Sequence, residues 1–164
     1  MHIVCVGAIY IDTILTVPHF PVEDQKLRAS KRTRRRGGNC GNTLEVLTQL
    51  TQHLGPTQQP QLYLIAVLPS YDSPDTKLIR STLPNVELDS CCIYRLNAQE
   101  AASSYIIQNA KNDSRTIVSI NELAEMTVEE FSTRILEIAV HRRNCKAWYH
   151  FEVPTNMPSL RARS

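Results

Sequence analysis

Seven consecutive residues near the start, Ile3–Ile9 (IVCVGAI), carry no polar side chain and are rich in β-branched types. That pattern predicts a central strand covered on both faces, so elements must pack above and below it. The rest of the chain offers them. Leu44, Leu47, Leu50 and Leu54 recur at spacings of three and four after Gly37-Gly38, and Gly55-Pro56 supplies a stop. LYLIAVL (62–68) reads as a second buried strand. SPDTKLIRSTL opens a helix with Ser73 as N-cap and Pro74 at its first position. Thr127 and Glu130 form a capping box for a helix to about Arg142, with Phe131, Ile135 and Ile138 on one face. AWYHF (147–151) reads as a last strand. Strands alternating with helices predict a parallel α/β core.

Other segments break that alternation. KLRASKRTRRR mixes basic and small residues like an exposed edge strand. VELDSCCIYRL and ASSYIIQN read as extended, and AKNDS as the turn of a hairpin into RTIVSI. Together they predict a small second sheet, inserted into the core and lying over the ends of its strands. The tail EVPTNMPSLRARS has two prolines and little periodicity, which predicts irregular structure.

Composition narrows the function classes. The net charge is only +2, too small for a general attraction to nucleic acid or to an anionic membrane. MHIVCVGAIYIDTILTV lacks a basic leader and carries Asp12, so it reads as strand, not signal peptide. No stretch approaches the roughly 18 apolar residues of a membrane span. The five cysteines (Cys5, Cys40, Cys91, Cys92, Cys145) form no C-x-x-C pair, which points to buried free thiols and a cytoplasmic location. Cys91 and Cys92 would face opposite ways on a strand, which argues against a shared metal. The five histidines show no metal spacing, and no metal site is expected.

Two places carry candidate chemistry. Asp12 ends the first buried strand, where ligands collect in open α/β sheets. Its carboxylate suits two neighbouring hydroxyls of a sugar; a turn or capping role fits the position equally well. In RRRGGNCGN (34–42), Asn39 and Asn42 fall on one face of a first helical turn. Their amides can read hydroxyls, with Gly37 and Gly38 leaving room for a ligand; an Asn N-cap after a glycine turn is the alternative. The stretch matches neither the G-x-x-x-x-G-K-[ST] phosphate loop nor the G-x-G-x-x-G dinucleotide turn. No glycine follows Gly55, so no phosphate cradle lies further on. Arg34–Arg36 lack the interleaved aromatics of a nucleic-acid surface, and a solvated charged strand fits them better.

In order, these pieces resemble the ribokinase-like (PfkB) carbohydrate kinases, and look most like ketohexokinases (fructokinases). The resemblance rests on G-x-x-x-x-D after the first strand, a proline-broken acidic loop, basic strands and G-G-N-x-x-N opening a helix. It continues through a hairpin with Ser-Arg-Thr-Ile and through W-x-H-x-E, covering most of residues 1–152. It implies a three-layer α/β/α ribokinase-like core with a β-sheet lid, built from about 24–37 and 86–120. It implies ATP-dependent, magnesium-assisted phosphoryl transfer to a hydroxyl of a ketose such as fructose. Asp12, Gly38, Asn39 and Asn42 fall at sugar-binding positions and Arg115 on the nucleotide side. The lid strands would also serve a homodimer. The family's Gly-Ala-Gly-Asp segment, which carries the catalytic base and anion hole, has no counterpart here, and Val153-Pro154 stands where Gly-Arg usually follows. The expectation is a truncated core (1–152) with an unrelated tail (153–164), inactive alone, or a non-catalytic interaction fragment acting through its lid strands.

Overall fold

A computed structural model describes residues 1–55, 57–140 and 146–152. In chain order the elements are β1 (His2–Val6), β2 (Tyr10–Val17), β3 (Lys31–Gly37), α1 (Asn39–Thr51), β4 (Gln61–Ile65), β5 (Val67–Pro69) and α2 (Pro74–Thr82). There follow β6 (Val86–Glu87), β7 (Ile93–Arg95), β8 (Ser103–Asn109), β9 (Arg115–Ile120), α3 (Val128–Val140) and β10 (Ala147–Phe151).

The core is a parallel sheet in the order β10-β1-β4-β6, so the first apolar run does become a central strand. Ile3, Cys5, Leu62 and Leu64 pack on one face with Leu44 of α1 and Ile79 of α2. Val4, Tyr63 and Ile65 pack on the other with Phe131, Ile135 and Ile138 of α3. Successive strand residues point to opposite faces, which is why one apolar run feeds both clusters. The result is a three-layer α/β/α arrangement.

A second sheet, in the order β3-β2-β8-β9, combines parallel β2–β8 pairing with two antiparallel pairs. The Ser104 and Ser119 hydroxyls meet across its hairpin at 3.0 Å. A two-stranded parallel sheet joins β5 and β7.

Local signals held where they were chemical. The Ser73 hydroxyl accepts from the Thr76 amide at 3.1 Å, and Pro74 opens α2. Thr127 and Glu130 exchange both bonds of a capping box, at 2.9 and 3.1 Å. The 110–114 turn and AWYHF strand form as expected.

Several expectations need correction. The apolar start breaks at Gly7–Ile9, and 10–17 leaves for the second sheet, so Asp12 is the third residue of β2 and not the end of β1. LYLIAVL likewise divides at Ala66. The second sheet takes 31–37 and 103–120, but 86–87 pairs with the core and 93–95 with β5. Leu50 does not reach the core: each three-residue step falls about 60° short of a full helical turn. Leu50 therefore lies about 120° round from Leu44, and it is 70% exposed. Cys91 and Cys92 sit in a turn, not a strand, yet still divide between the two core clusters. Pro56, His141, Arg142, Cys145 and the tail from Val153 lie outside the described residues.

Candidate functional site

After β1 the chain bends through Gly7, Ala8 and Ile9 into β2. This bend, Val67 at the start of β5, the carboxyl end of β10, and residues 121–126 enclose a cleft of about 310 Å³. It occupies the position where open α/β sheets bind ligands. A larger depression of about 600 Å³ is lined by Gln52, Gln59, Gln61, Asn85 and Glu87. It lies at the opposite, amino end of β4, and no convergent set of reactive groups marks it.

Glycines shape the cleft's rim. Gly38 has φ +93°, and a Cβ there would stand 2.6 Å from the Ala8 carbonyl oxygen. A Cβ on Gly37 would be 2.5 Å from Asp12 Oδ1, so the aspartate lies against bare backbone. Asp12 shares a face of β2 with Tyr10, which lines the cleft. Its carboxylate has Arg35 Nε at 3.6 Å.

Gly38 is the N-cap residue of α1 and makes no side-chain cap, which removes the N-cap reading of the asparagines. Asn39 instead donates from Nδ2 to Glu152 Oε1 at 2.8 Å. The second oxygen, Glu152 Oε2, is buried, and the Cys40 thiol interacts with this carboxylate. Glu152 lines the cleft beside Gly7, where a Cβ would come within 2.8 Å of Oε2. The sequence reading did not name Glu152 as a site residue. A carboxylate just past a core strand was the available signal, the same one that singled out Asp12.

Asn42 lies one turn further along α1 and accepts from Arg36 Nη1 at 3.1 Å. Arg36 is not the solvated residue expected of an edge strand. Its side chain is 3% exposed, ion-paired with Glu45, and donates from Nε to Thr82 Oγ1 at 3.2 Å. Burial pushes its guanidinium below the usual range, and Glu45 opposes that shift. Gly41 leaves the space that the guanidinium fills. Arg34, on the same face of β3, pairs with buried Asp75, which also accepts from the Ala101 amide at 2.8 Å. These arginines therefore clamp the second sheet to α1 and α2.

None of Asp12, Gly38, Asn39 and Asn42 lines the cleft itself: Gly38 backs onto Ala8, Asn39 bonds Glu152, Asp12 lies against Gly37 and Asn42 is a turn further along α1. The fold does not bring Arg115 there either. Arg115 pairs with Gln108 at the outer end of the hairpin, whereas Asp12 is in register with Ser104 and Ser119. That places it about 13 Å further along the strands, from four residues at 3.3 Å each. Among the described residues, no group of three His, Cys, Asp or Glu stands close enough to hold a metal, and no helix is long and apolar enough to cross a membrane.

A parallel core sheet between helical layers, a second sheet attached beside its carboxyl ends and a cleft between the two define the ribokinase-like fold. Comparison with solved structures agrees. Ribokinase from Thermotoga maritima superposes with a TM-score of 0.63 over 91% of this chain and 52% of its own, at 14% identity. 2-Dehydro-3-deoxygluconokinase from the same organism gives 0.60 over 92% and 40%, at 19% identity. Arabidopsis thaliana ribokinase, solved with ribose and ATP, gives 0.52 over 73% and 35%, at 16% identity. This chain thus spans about half or less of the length of these proteins. No protein-family profile matches it, and neither does any curated protein sequence.

Proposed function

We propose that this chain is the acceptor-binding part of an ATP-dependent sugar kinase of the ribokinase type, ketohexokinase-like, with a ketose such as fructose as its sugar. The observation that carries this reading is the Glu152 carboxylate, which lines the cleft and is held there by Asn39. A carboxylate has acceptor sites to spare, and a sugar hydroxyl in the cleft would donate to it. Asp12 would accept from two adjacent hydroxyls. Gly38 would let the sugar reach the backbone, and the Asn39 and Asn42 amides would fix its orientation.

The cofactors implied are ATP and Mg²⁺, which supply and neutralise the transferred phosphoryl group. The residues present do not fit them. No glycine-rich cradle follows Gly55, and Arg115, assigned to the nucleotide side, stands away from the cleft. This chain's own part is to bind and orient the acceptor, and turnover is not expected from it alone. The four buried free thiols among the described residues suit a cytoplasmic setting.

Fructose titrations followed by NMR on the wild-type chain, Asp12→Asn and Asn39→Ala test this. The wild type should show saturable shifts at Asp12, Asn39 and Glu152, and each variant should weaken binding at least tenfold while staying folded. A folded wild type indifferent to fructose and ribose refutes the acceptor site. ATP-dependent turnover of fructose by this chain refutes its being only part of the machinery.

A second reading, a non-catalytic interaction module, is favoured by β9. All six of its residues are exposed, including Ile117, Val118 and Ile120. Light scattering that shows association abolished by Val118→Lys supports it.

A further inference from the structure

We infer that Cys5 and Cys40 form an oxidisable dithiol site, at which a hydroperoxide joins the two sulfurs in a disulfide and withdraws Cys40 from Glu152. Cys5 lies in β1. Gly7, two residues on, still bonds to the Ile65 carbonyl, so it shares the strand face of Cys5. Cys40 lies in the first turn of α1, with Leu44 one turn further along the same helix face. Cys5, Cys40 and Leu44 belong to one core cluster, and each is fully buried. The Cys40 sulfur stands 2.7 Å from the Cβ position that Gly7 leaves empty. That sets Cys40 one strand step from Cys5, about 6.6 Å between Cβ positions, and the two thiols hydrogen-bond across it. Glu152 Oε2 stands 2.8 Å from the same Gly7 position.

The two thiols are not equivalent. Cys40 carries one proton and faces two acceptors, the Cys5 sulfur and the Glu152 carboxylate. Its hydrogen bond holds the Cys5 thiol below the ordinary thiol range, against the effect of burial. The same bond, burial and the Glu152 charge push Cys40 up. Cys5 is therefore the attacking thiolate and Cys40 the resolving thiol. The Cys5 sulfur attacks one peroxide oxygen, the O–O bond breaks, and water leaves with the proton that Cys5 gave up. The Cys40 sulfur then displaces the oxygen of the Cys5 sulfenic acid, and a second water carries off the Cys40 proton. Two thiols and one hydrogen peroxide give one disulfide and two waters.

A route to the pair exists. Gly7 and Glu152, both neighbours of the Cys40 sulfur, line the cleft, and Gly7 has no side chain to bar a molecule as small as peroxide. Cys91 and Cys92 lack such pairing, because their side chains enter different core clusters. Oxidation leaves Glu152 without its thiol partner, so the redox state of the pair reaches the acceptor site. That last consequence rests on the function proposed above; disulfide formation does not.

Peroxide treatment of the full chain tests the inference. Differential alkylation and peptide mapping of the treated, folded protein should show Cys5 joined to Cys40, with dithiothreitol restoring both thiols. The Glu152 carboxyl NMR signal should shift on oxidation and return on reduction, with no sugar present. Cys40→Ser should stop at a Cys5 sulfenic acid trapped by dimedone, and Cys5→Ser should leave Cys40 at least tenfold less labelled. Mapping on the wild type needs neither variant to fold. A folded wild type whose Cys5 and Cys40 stay free under peroxide overturns the inference. So does a cross-link from either to another cysteine, or a disulfide that leaves the Glu152 signal unmoved. Failure of the reduced chain to bind fructose, in contrast, strikes the acceptor reading alone.

Discussion

Replacing Gly38 with alanine isolates the junction on which the candidate site depends. Gly38 has φ +93° and ψ 139°, close to a region that side chains avoid, at a cost of about 1–3 kcal/mol. A Cβ there would also stand 2.6 Å from the Ala8 carbonyl oxygen and 3.1 Å from Ile9 Cα, both backbone atoms that cannot rotate away. Overpacking of that kind costs a further 1–3 kcal/mol or so. The sum, roughly 2–6 kcal/mol, is a large share of a typical stability of about 5–15 kcal/mol. At about 2–4 °C per kcal/mol for a chain of this size, the melting temperature should fall by some 5–20 °C. Gly55→Ala is the matched control. Gly55 has no atom within 4 Å of its Cβ position and no positive φ. That change should be neutral, or stabilising by up to about 1 kcal/mol. Thermal unfolding followed by circular dichroism reads both. If Gly38→Ala melts within a degree of wild type, or Gly55→Ala falls as far, backbone strain and steric exclusion do not govern this junction.

Glu45→Ala leaves the buried Arg36 guanidinium with only the neutral partners Asn42 and Thr82. It should cost about 3–5 kcal/mol in urea unfolding, whereas Arg134→Ala, in an exposed pair with Glu137, should cost under about 1 kcal/mol. The Arg95 guanidinium and the Thr127 amide hold the Glu130 carboxyl down to about 2, from an ordinary 4.5. A depressed carboxyl contributes stability that is fully present above the unfolded value and is lost as pH falls through the folded one. Melting temperature should therefore drop between pH 4.5 and 2, with a shallower slope in Arg95→Ala. An unchanged slope in that variant would remove Arg95 as the cause. Thr127→Ala, which deletes half of the capping box, should cost about 1 kcal/mol.

What could be read from residue order was the local chemistry. Ser73 caps, Thr127 and Glu130 box, 110–114 turns, and the alternation of strands and helices announces a parallel core. These signals act over a few bonds, so neighbours in sequence suffice to create them. Gly38 and Asn39 stood out as candidates for a related reason: two glycines beside small polar residues mark backbone that something must approach, whereas Asp12 joined them through the family resemblance.

What the sequence could not show was where the chain changes sheets. Residues 3–17 are apolar almost throughout because β1 and β2 both bury side chains, and hydrophobicity alone does not label the sheet. Only packing revealed that Gly7–Ile9 is a corner and that Asp12 belongs to the second sheet. The same holds for charge. Three successive arginines look alike in sequence, but Arg36 is buried because Glu45, Asn42 and Thr82 happen to surround it in space. Glu152 entered the candidate site in the same way, across 113 residues, through its hydrogen bond from Asn39. Burial and desolvation depend on which distant groups fill the surrounding volume, and that is decided by the tertiary fold.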